Sequence, residues 1–386
     1  ADTDLVAISR LLAREPDLLG AELRALNLSA LGHPALIDHY VATTLSTTRL
    51  VVVRLLGGRG HWSYGIERLR QWVAAGRKRE LMFLAGTEEE EALAELGSVD
   101  ADLARPLAAC LREGGAANLR TVLRCMGEIL RGGAPPPPQP QPAPDPQPHD
   151  WRSDPGPRAG LILYRALSQA GDLALVTAAL EALRGAGLCP RALWVSSLRD
   201  GAVQQGVADL LRREGVEVVL CGTGFASVRL EEAGLGAPLW ERLGVPVLQL
   251  LCSGQARDRW QDSSIGLGPL DLSLQVALPE LDGRLTTRVG AFKELSGSDA
   301  GLATAIHHYA PDQERLAWIA RLAANWAELR RTPNRRRRVA LVLANYPTRD
   351  GRLANGVGLD TPASVVRMLR WLRQEGYDLG LSLIHI

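Results

Sequence analysis

Arg54, Arg165, Arg199 and Arg349 each lie at or just past the end of an apolar run, in polar or glycine-containing sequence. A guanidinium takes a carboxylate with two parallel hydrogen bonds. Glycines let the backbone approach a ligand, and helix N-termini favour anions. The same arrangement recurs along the chain. It is seen in "RLLGGRGHWSYG", which carries His61 and Tyr64, and in "YRALSQAGD" and "SSLRD". It is seen again at Thr223, Gly224 and Phe225, at Ser253 and Gly254, and most fully in "NYPTRDGRLANGVGLDTPAS", Asn345 to Ser364. There Arg349 and Arg352 would pair with carboxylates, while Asp350 and Asp360 would fix those arginines or cap a helix beginning near Thr361. Taken singly, each loop is also ordinary turn chemistry; together they describe a rim suited to anions.

Other chemistries find less support. His33, His39, His61, His307 and His308 never fall at HxxxH or HExxH spacing, and Cys110, Cys125, Cys189, Cys221 and Cys252 form no CxxC. Scattered cysteines of odd number read as buried thiols in a cytoplasmic protein. Glu280 and Asp282 in "LPELDGR" would serve as an acid/base pair or metal ligands, and equally as a capped turn. The lysines are Lys78 and Lys293, and neither belongs to a GxxxxGK[ST] phosphate loop. Binding of ATP in the P-loop manner is excluded. "RRRR", Arg335 to Arg338, reads as a solvated turn past a helix end.

The elements that would carry these loops are legible as an alternation. "TRLVVVRLLGG" and "RELMFLAG" are continuous apolar strands separated by the amphipathic "SYGIERLRQWVAAG", and "HPALIDHYVATTLS" is helical. Strands apolar throughout indicate a parallel sheet covered on both faces. Two helices follow, broken at Gly114–Gly115. "AGLILYRA", "RALWVSSL", "VEVVLCGTGF" and "VPVLQLLCSG" read as further strands, with helices between them. "SLQVALPELDGRLTTRVGAF" adds strand and turn, "DQERLAWIARLAANWAELRR" is a long helix, and "VALVLA" is a strand. The opening "ADTDL" reads as the end of a strand.

The fold class is therefore α/β and multidomain, with flavodoxin- or Rossmann-like parallel sheets and flanking helices. Residues 1–133 form a first α/β domain, and the proline-rich 134–157 is a linker acting as a semi-rigid spacer. Residues 158–333 form a second, doubly wound domain, and 334–380 begin a third unit. Residues 381–386, "LSLIHI", resemble sequencing-adapter read-through, and the chain reads as a piece cut at both ends. A net charge of +1 over 386 residues gives no general case for nucleic acid or membrane as partner.

Several of these stretches occur in order in one family. "NYPTRDGRLANGVGLDTPAS" resembles a signature of the large subunit of aerobic cobaltochelatase, a relative of the magnesium chelatase large subunit. "TTRLVVVRLLGGRGHWSYGIERL", "YRALSQAGDLALVTAALEALRGAGL", "WVSSLRD", "CGTGFA" and "SSIGLGPLDLSLQVALPELDGR" extend the resemblance from residue 1 to about 380. It implies part of a tetrapyrrole-binding subunit. That subunit inserts Co2+, a substrate, into hydrogenobyrinic acid a,c-diamide in cobalamin biosynthesis. It implies two partner subunits, one an AAA+ ATPase, that use ATP and Mg2+ in place of this chain. The candidate substrate-binding residues are then Arg54, His61, Tyr64, Arg165, Thr223, Asn345, Arg349, Asp350, Arg352, Asn355 and Asp360, with no metal ligand and no catalytic residue assigned. The alternatives are a magnesium chelatase large subunit, putting Mg2+ into protoporphyrin IX, and a non-catalytic two-lobed ligand-binding module.

Overall fold

The computed structural model describes residues 2–227, 238–343 and 358–380. The chain divides into two compact units, Ala1–Ala323 and Ala324–Ile386.

The first unit holds two sheets. In the smaller, β1 (Leu50–Leu55) and β2 (Glu80–Ala85) pair in parallel, Leu50 opposite Glu80 and Leu55 opposite Ala85. Successive side chains of a strand point to opposite faces. Leu81, Phe83 and Ala85 accordingly pack with Ile37, Ile66, Leu69 and Trp72, while Met82 and Leu84 pack with Leu103, Leu107 and Leu123. Helices on both faces explain why β2 is apolar without a break. The break between the helices Ala101–Glu113 and Gly115–Leu130 falls at the expected glycine pair, whose φ values are +68° and +80°.

The larger sheet has seven strands in the order β3-β5-β4-β6-β7-β8-β9. They are β3 (Gln147–His149), β4 (Arg158–Tyr164), β5 (Cys189–Val195), β6 (Val218–Cys221), β7 (Val247–Ser253), β8 (Leu285–Asp299) and β9 (Thr304–Pro311). The strands from β4 to β8 are parallel and follow the 2-1-3-4-5 order of flavodoxin-like sheets, with β3 and β9 antiparallel at the edges. Chain order reverses between β4 and β6, and such sheets bind ligands at their carboxyl ends near that point. β5 and β7 are buried at every position. The helix Gly201–Arg213 begins where Asp200 Oδ1 accepts the amides of Ala202 at 2.7 Å and Val203 at 3.2 Å.

Four stretches depart from the expectation. "ADTDL" opens a helix, Asp2–Arg14, not a strand: acidic Asp2 and Asp4 suit its first turn, and Leu5, Val6 and Leu11 are buried. Residues 269–281 are helical, with Pro269 and Pro279 at first-turn positions, and Gln275 Oε1 accepts the Cys252 amide at 2.7 Å; β8 starts only at Leu285.

The proline-rich stretch is not a free spacer. β3 lies within it and pairs with β5, and Asn118 Nδ2 donates to Gln141 O while Asn118 Oδ1 accepts from Gln141 N, both at 2.8 Å. The expected boundary there and the division at Ala323 differ accordingly. Finally, the described part of "VALVLA", residues 339–343, forms no strand, and Val342 is 88% exposed. A run with no neighbouring strand has no ladder to hold it. The second unit takes in the end of the helix Gln313–Arg331 and the helix Thr361–Gln374, with Asp360 Oδ1 capping the Ala363 amide at 3.0 Å.

Candidate functional site

A cleft of about 2240 Å3 joins the carboxyl ends of the two sheets. Its wall includes Leu55 at the end of β1 and Leu56 after it, Gly86 and Thr87 after β2, and opposite them Arg165 after β4 and Ser196 after β5. Parallel α/β sheets place ligands at these strand ends, and the volume exceeds the ~300–1,000 Å3 of ordinary small-molecule sites.

The rim on the β1 side is built by backbone geometry. Gly57 has φ +101°, a Cβ there would sit 3.1 Å from that of His61, and its amide donates to Glu90 Oε1 at 2.9 Å. The tight turn feeds the short helix Gly58–His61 and leaves His61 exposed on the cleft wall. Arg54 also lines the cleft, its Nη1 2.6 Å from Asp4 Oδ1. On the opposite side the proline-rich stretch forms part of the wall. Asp145 accepts the Ser196 amide at 3.1 Å and lies 3.6 Å from Arg165 Nη1.

Of the expected site residues, Arg54, His61 and Arg165 meet in this cleft. Arg165 is 4% exposed, and its guanidinium reaches Ala143 O at 3.3 Å, Pro144 O at 3.4 Å and Glu113 Oε2 at 3.5 Å. It braces its own chain. Tyr64 lies off the cleft wall, donating to Asp38 Oδ2 at 2.8 Å. That bond raises the Tyr64 hydroxyl above its ordinary pKa, and the phenol followed by Arg68 holds Asp38 low. Thr223 is buried beyond the cleft wall, its Oγ1 3.2 Å from Cys221 Sγ. Asp360 is a helix cap in the second unit. Asn345, Arg349, Asp350, Arg352 and Asn355 lie outside the described residues.

Much of the remaining charge on the cleft is already paired. Arg120 holds Glu15 through Nε at 2.9 Å and keeps that carboxyl below its usual range. Arg14, Arg49 and Arg199 line the cleft, are exposed, and have no ion pair among the described residues. They are the cations free to meet an incoming carboxylate. Arg199 follows a strand and was legible. Arg14 ends a helix and Arg49 precedes a strand, so only the folding of the first helix against the sheet reveals them. No group of three His, Cys, Asp or Glu among the described residues is placed to hold a metal ion.

The CobN/Magnesium Chelatase family profile matches residues 108–384. The chain belongs to that family. Among its CobN relatives, the aerobic cobaltochelatase subunit CobN of Pseudomonas aeruginosa is 39% identical over 372 residues, covering 92% of this chain and 29% of the relative. The same subunit from Sinorhizobium is 36% identical, covering 98% of this chain and 31% of the relative. The catalytic subunit of cobaltochelatase from Mycobacterium tuberculosis superposes with a TM-score of 0.57 at 31% identity, over 99% of this chain and 31% of that one. The chain thus spans under a third of the length of each of these proteins.

Proposed function

We propose that this chain forms part of the tetrapyrrole-binding large subunit of an aerobic, ATP-dependent cobaltochelatase acting in the cytoplasm. That subunit inserts Co2+ into hydrogenobyrinic acid a,c-diamide. The observation that carries this reading is the collinear identity with CobN subunits, joined to a large cleft whose rim cations Arg14, Arg49 and Arg199 have no ion pair among the described residues. A macrocycle bearing several carboxylates suits such cations. ATP hydrolysis is assigned to partner subunits, one an AAA+ ATPase, in keeping with the missing P-loop. The chain's own part is to hold and orient the ring. Arg54 and His61 stand on the same rim. In the sequence Asn345–Pro362, Arg349, Arg352, Asp350, Asn345 and Asn355 are proposed to contribute binding groups. The 386-residue chain alone is expected to insert no cobalt and hydrolyse no ATP.

The test is titration of hydrogenobyrinic acid a,c-diamide into the full subunit and its Arg49→Ala, Arg199→Ala and Arg349→Ala variants, followed by tryptophan fluorescence and thermal melting. Weaker binding, each loss roughly tenfold with the melting point kept, is expected. Binding of protoporphyrin IX and not of the corrinoid ring would sink the cobalt assignment and favour magnesium chelation. Unaltered affinity in all three variants would remove the arginines from the site.

A further inference from the structure

A second cluster lies away from the cleft, beyond the carboxyl end of β6. Ser227, Trp240 and Arg284 are 2%, 7% and 2% exposed, and Ser227 Oγ, Trp240 Nε1 and Arg284 Nε have no hydrogen-bond partner among the described residues. None of these residues lines the cleft. They are neighbours: Asp282 Oδ2 accepts the Ser227 amide at 2.6 Å and Arg284 Nη2 at 2.8 Å, and the guanidinium carbon lies 5.3 Å from the Trp240 ring centre.

The rest of the cluster is fully committed. Arg284 Nη1 donates to Thr223 O at 2.9 Å and Gln249 Oε1 at 3.1 Å, and Nη2 also reaches Phe225 O at 3.1 Å. Tyr164 Oη donates to Gly224 O at 3.0 Å, and Gln204 Nε2 to Ser227 O at 3.0 Å. The carbonyls of Thr223, Gly224, Phe225 and Ser227 are thus taken by inward donors, which leaves three donors with no acceptor among the described residues. Buried polar groups are nearly always paired, so a concentration of unpaired donors marks a missing acceptor.

The chemistry of that acceptor follows from counting lone pairs. Indole and guanidinium nitrogens can only donate, and the serine hydroxyl completes a third donor. One water has two lone pairs; a carboxylate offers about four acceptor sites on two oxygens. Hydrogen bonds to an ionised acceptor are also the stronger kind. We propose that Ser227, Trp240 and Arg284 form a binding site for the carboxylate of a small organic acid, separate from the cleft.

The experiment uses the 386-residue chain and acetate as the probe. In 1H–15N spectra the Trp240 indole N–H is identified by its loss in Trp240→Phe. Sodium acetate is then titrated against sodium chloride at equal ionic strength. A saturable shift of that signal with acetate alone is expected, and Ser227→Ala should weaken the apparent affinity roughly five- to tenfold. An unmoved signal, or equal movement with chloride, would overturn the site. So would a crystal structure grown in acetate that shows only waters or an acceptor from the chain itself against these donors. Should Ser227→Ala fail to fold, the titration of the unaltered chain decides by itself.

Discussion

Replacing Arg165 by alanine separates bracing from ligand binding at the cleft. Its side chain is 5% exposed and sits between Glu113 Oε2 at 3.5 Å and Asp145 Oδ2 at 3.6 Å. Removing one member of a buried ion pair costs ~3–5 kcal/mol, because the partner is left uncompensated. Two features lower that figure here. Glu113 is 34% exposed, so water screens it, and the contacts to Ala143 O and Pro144 O at 3.3 and 3.4 Å exceed the ordinary hydrogen-bond range. Asp145 keeps its bond from the Ser196 amide. A loss of about 2–3 kcal/mol remains, equivalent to a fall in melting temperature of roughly 3–8 °C, toward the lower end for a unit as large as Ala1–Ala323. Arg165→Lys should recover little of it, since an ammonium cannot span both carboxylates and both carbonyls. Differential scanning calorimetry measures the shift. A melting point within about 1 °C of the unaltered chain, combined with lost tetrapyrrole binding in the full subunit, would refute the bracing account and make Arg165 a ligand contact.

Two further outcomes are expected. Asn118→Ala removes both 2.8 Å bonds to Gln141, and limited proteolysis within residues 134–146 should accelerate roughly 10- to 30-fold; an unchanged cleavage rate would mean the stretch is held elsewhere. The Ser9 hydroxyl, and then the Leu302 amide, hold the Asp299 carboxyl below its usual range and tie the first helix to the hairpin of β8 and β9. A lowered folded pKa contributes stability above the unfolded value, lost as pH falls through the folded one. The protection of amides in Asp2–Arg14, taken relative to unfolded-chain exchange at the same pH, should therefore fall below about pH 4, and Asp299→Asn should show that lower protection at neutral pH too, with the slope gone.

How far the sequence determined this protein depends on the range of the interaction concerned. Local periodicity and turn chemistry set most elements: the strands from β4 to β7, the glycine break at Gly114–Gly115 and the cap at Asp360 were all legible, because each arises from residues close in the chain. The doubly wound class was legible from the alternation, but which of its strand orders the chain adopts was not, since pairing joins segments far apart. The helix at Asp2–Arg14 was misread because five apolar-and-acidic residues are too few to distinguish its period from a strand. Site residues divide in the same way. Glycine and arginine at strand ends point to a rim, and Arg54 and His61 do line it. Whether a guanidinium there faces a ligand or its own chain is a matter of which carboxylates folding brings beside it. For Arg165 that was decided by Glu113 and Asp145, through contacts that only the packed interior creates.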